Sequence, residues 1–345
     1  MIGSSVVPGL PNIFTTPSSA STRRKASRPV MVFVTRASGI VSSLEAARVA
    51  RSGPAWNDRV GEACAMRKDD LESKLACLAC WRAPVTLAPL KGGLTNLSYV
   101  ADDGREKFVV RCGADIPVHH VFRDRERAAS IAAFDAGLSP EVIHSEPGIM
   151  VLRFLDGRTL VEADLAANIG RIVPLLKTCH AEVGRHVRGP VNAFWVFHVI
   201  RDYVRLIDAD PRYLALADEL ERAQVPMPMV FGHHDLLPGN FMDDGKRLWL
   251  IDWEYGAFGT AMFDLANLSS NGGFGDREDA TLLDTYFDGR VSSDLRRAFD
   301  AMKAASALRE ALWAMVSDVH LKTPGVDYAA HARDYLRRFE ELAAR

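Results

Sequence analysis

Residues 231–256 read FGHHDLLPGNFMDDGKRLWLIDWEYG. Taken singly, the polar residues here are ordinary turn formers, since Asp, Asn, Pro and Gly each bend the chain for a local reason. Taken together they have an order. His233-x-Asp235-x-x-x-x-Asn240 is followed by a short strand-like run, and Asp252 comes directly after the four apolar residues LWLI. The pattern puts two carboxylates and one amide at the ends of short buried segments, where several chain ends can converge on one point.

The spacing matches the catalytic loop of protein kinases, and the chemistry of phosphoryl transfer needs these residue types. A carboxylate must accept the proton of an attacking hydroxyl, and Asp235 is placed for that. A hard cation beside the phosphates needs oxygen ligands, and Asn240 offers a neutral amide oxygen. Asp252 presents a second carboxylate at a strand end, where a protein kinase has the aspartate of its D-F-G; here the run is Asp252-Trp253-Glu254-Tyr255-Gly256.

Upstream, VTLAPLKGGLTNLSYVADDGREKFVVRCG alternates as strands do, with Val85–Lys91, Leu97–Ala101 and Lys107–Cys112 joined by the turns GGLTN and DDG. VFRDRERAASIAAFDAG has helical periodicity and ends at a glycine, and EVIHSEPGIMVLRFL reads as two strands around a Pro-Gly turn. Residues 83–155 are therefore expected to form a five-stranded antiparallel sheet with one helix. Beyond a connector at Phe154–Arg158, helical patterns dominate to the C-terminus, interrupted by the short strands MVFG, NFMDD and RLWLID; Pro174 is expected to kink or begin a helix. The expected fold class is α+β with two lobes: a β-rich N-lobe at 66–155 that binds nucleotide, and a mainly helical C-lobe at 156–345 that binds substrate and carries the catalytic loop. The cleft between two such lobes is a favoured ligand site.

Within the N-lobe, Gly93, Thr95 and Asn96 belong to the inter-strand loop, where main-chain N–H groups can approach phosphates. Arg111 stands on the third strand as a permanent cation able to fork onto phosphate oxygens. Glu126 is its expected helix partner, with Asp124 as the rival.

The composition bounds the rest. Of 345 residues 48% are hydrophobic and 25% charged, and the net charge of −2 gives no overall bias toward nucleic acid or an anionic membrane. No apolar run approaches the roughly 18 residues of a membrane span. Five cysteines argue against a disulfide framework and for a reducing, cytoplasmic setting. Cys77 and Cys80 form a CxxC with no matching pair, so DLESKLACLACW is read as an amphipathic helix with both cysteines on or near its apolar face. Residues 1–65 have another character. Met1–Leu44 contains no Asp or Glu but carries Arg23, Arg24, Lys25, Arg28 and Arg36 among many Ser, Thr and Pro. Residues 1–65 are expected to be a disordered extension or an over-long start before Met66, with the resemblance of this segment to an organelle transit peptide as the alternative.

The segments GGLTNLSY, FVVRCG, MVLRFLDGRTL, HHDLLPGN, LIDWEYG and MFDLAN resemble the choline/ethanolamine kinase family, within the wider aminoglycoside phosphotransferase-like kinases, over roughly residues 83–340. The GGLTN loop, the arginine on the third strand and IDWEY…FDLAN look more like the choline kinase branch, including its bacterial members. The resemblance implies a protein-kinase-like fold using ATP with Mg²⁺. Asp235 would be the base, Asn240 and Asp252 the metal ligands, and Arg111 a nucleotide contact, with the connector around Arg153 and Leu155 holding adenine by main-chain hydrogen bonds. His234, where the family often has Asn or Gly, and Trp253, where Phe is common, depart from the family pattern without removing a catalytic group.

The implied partner is a small amino alcohol, most simply choline. A quaternary ammonium cannot donate hydrogen bonds and is held by aromatic faces and carboxylates. Candidates are Tyr255, Trp313, Tyr328, Glu254 and Glu310, of which Trp313 is the one the resemblance favours. An aminoglycoside would need a dense acidic cluster, and Glu340 and Glu341 stand among arginines. Ethanolamine, thiamine or another alcohol on the same fold, and a non-catalytic nucleotide-binding pseudokinase, are the alternatives.

Overall fold

A computed structural model describes residues 68–90 and 96–344; the segment 1–67 and the loop residues Gly93 and Thr95 lie outside the described residues. The helix α1 (Lys68–Ala76) comes first among the described residues, followed by strands β1 (Thr86–Leu90), β2 (Leu97–Asp102) and β3 (Lys107–Cys112), helix α2 (Arg123–Asp135), and strands β4 (Val142–Glu146) and β5 (Ile149–Arg153). The five strands form one antiparallel sheet in the order β1-β2-β3-β5-β4.

Alternation decides which residues face the cleft. On β3, Phe108, Val110 and Cys112 are buried on one face, so Val109 and Arg111 point to the other. The buried face is closed by α1, whose Leu71 and Leu75 stand one turn apart and pack with Leu78 against Tyr99, Phe108 and Val151. β3 is the central strand, so Arg111 is not an edge-strand surface charge. The cysteine reading needs correction. α1 ends at Ala76, before either cysteine, and Cys77 is exposed in the turn that follows. Trp81 stops the helix there by donating its indole N–H to the Leu75 carbonyl at 2.7 Å.

Beyond the connector come β6 (Arg158–Thr159), α3 (Glu162–Ala167), α4 (Ile169–Thr178), the single turn α5 (Gly184–His186), α6 (Val196–Leu206) and α7 (Arg212–Arg222). The quoted stretch supplies β7 (Met229–Gly232), β8 (Phe241–Asp243) and β9 (Leu248–Leu250). Then follow β10 (Ala257–Thr260), α8 (Ala261–Asn271), α9 (Asp276–Phe287), α10 (Ser293–His320) and α11 (Tyr328–Ala343). Pro174 lies inside α4 rather than at its start, and the helix widens into a π-turn at Cys179–Val183. Among the described residues no helix is long and apolar enough to cross a membrane.

One hydrophobic core fills the helical part, and α10, buried along most of its 28 residues, runs through it. Ala129, Ala132 and Ala133 of α2 join this core rather than that of the sheet, their small side chains allowing close approach. β7 pairs with β10, and β6-β8-β9 form a small sheet beside the connector. At Gly157 a Cβ would come within 2.5 Å of the Asp243 carbonyl, so only glycine lets the connector lie this close to β8. This is the α+β arrangement expected from the sequence, a sheet followed by a mainly helical region.

Candidate active site

The turn between β7 and β8 carries Asp235, and a neighbouring helix holds it in place. Asp264, at the first turn of α8, accepts the main-chain N–H of His233 at 2.9 Å and of His234 at 2.7 Å, and is also bonded to His180 Nε2 at 2.9 Å. Burial opposes its charge, but the His180 hydrogen bond and the surrounding histidines hold its carboxyl far below the usual range. Asn267 Oδ1 accepts the Leu236 N–H at 2.6 Å, and Asn271 Nδ2 donates to the Leu236 carbonyl at 3.3 Å. Residues 264, 267 and 271 share one face of α8, so three polar side chains on a fully buried helix grip the turn's backbone. Among the described residues, Cys179, His180 and Asp264 also form a trio of metal-ligand types. Asp264 is committed to the turn, and burial pushes the Cys179 thiol up, away from a thiolate.

Two histidines complete the turn. His233 Nδ1 accepts the Asp235 N–H at 3.3 Å while Nε2 meets the Ile251 carbonyl at 2.9 Å. This neutral ring links the Asp235 turn to the strand end before Asp252. His234 adopts a left-handed conformation at φ 62°. Its ring stacks on Phe194 at 4.5 Å and lies against the main chain of Gly232 and Gly259, where an added Cβ would sit 2.7 Å and 2.6 Å from Nε2. Those two glycines make room for a histidine between His233 and Asp235.

Asp235 is buried, and burial first, then the carboxylates of Glu310, Asp252 and Glu254, push its carboxyl well above the usual range against the opposing pull of Arg309. Asn240 Nδ2 donates to the Asp235 carbonyl at 2.8 Å and lies 3.3 Å from its Oδ2, which turns the amide oxygen Oδ1 away from that pair. Asp252 is left-handed at φ 68° and more exposed, and its Oδ1 receives Arg111 Nη2 at 2.8 Å. The donors offered by Asn240 and Asp252 are thus all oxygen, the set Mg²⁺ prefers.

On the sheet side Arg111 also meets Glu126 at 3.2 Å and Glu254 at 4.0 Å, and Arg123 meets the same two carboxylates at 2.6 Å and 3.2 Å. Glu126, not Asp124, is therefore the helix partner, and Arg123 is a member of the cluster that sequence reasoning missed. Glu254 faces these arginines and receives Asn96 Nδ2 at 3.4 Å, so it sits with the arginine cluster on the sheet side of the cleft rather than in an aromatic cage. Burial and the Asp252 carboxylate raise its carboxyl above the usual range.

All of this surrounds a cleft of about 650 Å³ between the sheet and the helical region. Val109, Leu152, Met242 and Ile251 line its apolar end beside Arg153, Phe154 and Leu155 of the connector. The Arg153 side chain is bound to Glu141 and Glu106. Asp235, Tyr255, Arg309, Glu310, Trp313 and His331 line the other end. Trp313 Nε1 donates to the Tyr255 hydroxyl at 3.1 Å. Tyr328 does not line the cleft; it stands edge-on behind Trp313 with its hydroxyl on Thr323. Arg309, to which the sequence reading gave no role, lies over the Tyr255 ring at 4.6 Å.

Comparison with known proteins fits this geometry. The profile of the phosphotransferase enzyme family matches residues 86–304. The protein LicA of Haemophilus influenzae is 27% identical over 215 residues, 56% of this chain and 61% of LicA. A probable ethanolamine kinase of Arabidopsis thaliana is 28% identical over 211 residues, 52% of this chain and 54% of that protein. The match thus spans less than two thirds of either relative. A choline/ethanolamine kinase family protein from Mesorhizobium loti superposes with a TM-score of 0.66 at 28% identity, over 81% of this chain and 96% of that one. The fold is protein-kinase-like, and on the match over residues 86–304 the chain belongs to the phosphotransferase enzyme family.

Proposed function

We propose that this protein transfers the γ-phosphoryl group of ATP to the hydroxyl of a small amino alcohol, choline being the first to assay. The observation that carries the reading is the convergence of Asp235, Asn240 and Asp252 on one cleft, with Arg111 bonded to Asp252. Asp235 takes the hydroxyl proton as the alcohol oxygen bonds to the γ-phosphorus and the bridging bond to ADP breaks. A base with a raised pKa suits that task near neutral pH. Asn240 Oδ1 and the Asp252 carboxylate would hold Mg²⁺, which when bound screens the charge of the phosphates. Arg111 adds a fixed positive charge at the same place, steadied by Glu126. The apolar end of the cleft suits a purine ring, with the connector at Arg153–Leu155 supplying main-chain hydrogen bonds and Asn96 closing the phosphate side. Glu310 offers a negative charge for the amine of the acceptor, and Trp313 an apolar wall.

On this reading nucleotide binds mainly to the β-rich lobe of residues 66–155 and the acceptor to the helical lobe of residues 156–345. The test is ADP release from ATP and Mg²⁺ with choline, ethanolamine and kanamycin in turn. Turnover that depends on one of the first two and stops on adding a chelator is expected. Turnover with kanamycin alone would move the acceptor outside the amino-alcohol class.

A further inference from the structure

The proposed reaction leaves one buried cation on the cleft wall without a task. Arg309 on α10 is 1% exposed. Its Nη1 donates to Glu310 Oε2 at 2.8 Å, and its plane lies over Tyr255. Among the described residues its Nε and Nη2 have no hydrogen-bond partner. Arginine does not shed its charge, so a buried guanidinium with one edge unmet is a costly arrangement unless something completes it. Nε and Nη2 form the side of the fork that pairs with both oxygens of a carboxylate.

Glu310, next to it, is bonded to Arg309 and to His331 Nε2 at 3.1 Å. The acceptor end of the cleft therefore carries a positive and a negative group side by side, with Asp235 on the same wall. It is poorly built as an aromatic cage. The face of Tyr255 is covered by the guanidinium, and one face of Trp313 is stacked by His119 at 5.1 Å.

We propose that the Nε/Nη2 edge of Arg309 is a carboxylate-binding subsite, and that the phosphorylated alcohol is a zwitterion of the hydroxy-α-amino acid type. Its carboxylate takes the free edge of Arg309, its ammonium faces Glu310, and its hydroxyl reaches Asp235. The inference rests on the phosphoryl-transfer reading and names the acceptor more narrowly than an amino alcohol in general.

Matched pairs test it. L-serine is ethanolamine with an added carboxylate, and L-homoserine is 3-aminopropan-1-ol with one. ADP release is measured for all four alcohols and for choline. Binding is measured separately by calorimetry with Mg²⁺ and a non-hydrolysable ATP analogue. The carboxylate-bearing member of at least one pair is expected to bind and turn over at least about tenfold better, a difference of about 1.4 kcal/mol. Arg309→Met should bring that ratio close to one, and Arg309→Lys should restore part of it. Preference for the carboxylate-free member in both pairs, or a ratio unmoved by Arg309→Met, overturns the subsite. The wild-type ratio decides even where a variant fails to fold. Turnover confined to choline or ethanolamine keeps the kinase and removes the subsite. A binding preference for the carboxylate with no ADP release keeps the subsite and removes the kinase, and binding of none of the alcohols removes the subsite.

Discussion

The carboxylate of Asp264 receives the main-chain N–H of His234 at 2.7 Å, so the turn that carries Asp235 is held by a helix that the chain reaches only thirty residues later. The same carboxylate takes the His233 N–H. A two-oxygen acceptor that spans two successive N–H groups fixes the path of the turn as well as its position. Asp264→Ala leaves both donors buried and unmet. We expect it to cost about 2–4 kcal/mol of stability and to lower kcat by about a hundredfold or more, because a displaced base loses its alignment. Asp264→Asn, which keeps one acceptor oxygen, should lose less of both. Urea unfolding and ADP release on the two variants check this, and an Asp264→Ala protein with unchanged kcat would show that the turn holds itself.

Arg111 sits among Asp252, Glu126 and Glu254 on the central strand. Replacing it with Met leaves Glu126 and Glu254 with Arg123, takes this partner from Asp252, and removes a fixed charge from the sheet side of the cleft. Binding of ATP with Mg²⁺ should weaken by about tenfold or more, and Arg111→Lys should recover only part, because an ammonium lacks the planar pair of parallel N–H donors that a guanidinium presents to phosphate oxygens. Calorimetric titration with nucleotide measures both, and equal affinity in Arg111→Met and wild type would remove Arg111 from the nucleotide site.

Stability should fall on mild acidification, and His119 is one source. It is buried between the Tyr203 hydroxyl at 3.0 Å and Ser317 Oγ at 2.8 Å. Burial, then the nearby charge of Arg309, pushes its pKa down to about 3 from 6.5. In the unfolded chain this histidine takes up its proton as pH falls through about 6.5, while in the folded protein it does not until about 3. Between those limits the unfolded state binds more protons, so stability declines by up to about 1.4 kcal/mol per pH unit. His119→Gln, which keeps a hydrogen-bonding side chain without the titration, should flatten the fall in urea midpoint between pH 7 and 5. A slope remains from His234, whose pKa burial lowers to about 4. An unchanged slope would mean that His119 titrates alike in both states.

The five strands and most helices were legible because their periods are local: β3 alternates residue by residue, and α10 and α11 carry long helical patterns. The convergence of Asp235, Asn240 and Asp252 was legible from their spacing. The grip of α8 on the turn was not, although the signal was present: Asp264, Asn267 and Asn271 stand at helical spacing in an otherwise apolar segment, and a buried polar stripe must bond to something. Arg309 was hidden for another reason. In LREALWAMV it reads as a charge on a helix face, and only the packing of α10 against Tyr255 puts it inside. Tyr328 failed the opposite way, an aromatic at a suitable place in sequence that packs behind Trp313 instead of lining the cleft. The α1 boundary was misplaced because Leu71, Leu75 and Leu78 continue an apolar stripe past the point where Trp81 ends the helix.

The most direct measurement of phosphoryl transfer at this site compares wild type with Asp235→Ala in two assays on the same preparations: alcohol-dependent ADP release, and calorimetric binding of ATP with Mg²⁺. Loss of turnover with nucleotide affinity kept within about threefold is expected, because the proposed reaction has Asp235 act on the acceptor hydroxyl and Arg111, Asn240 and Asp252 hold the nucleotide end. Undiminished ADP release by the Asp235→Ala protein would contradict the assignment of Asp235 as the base.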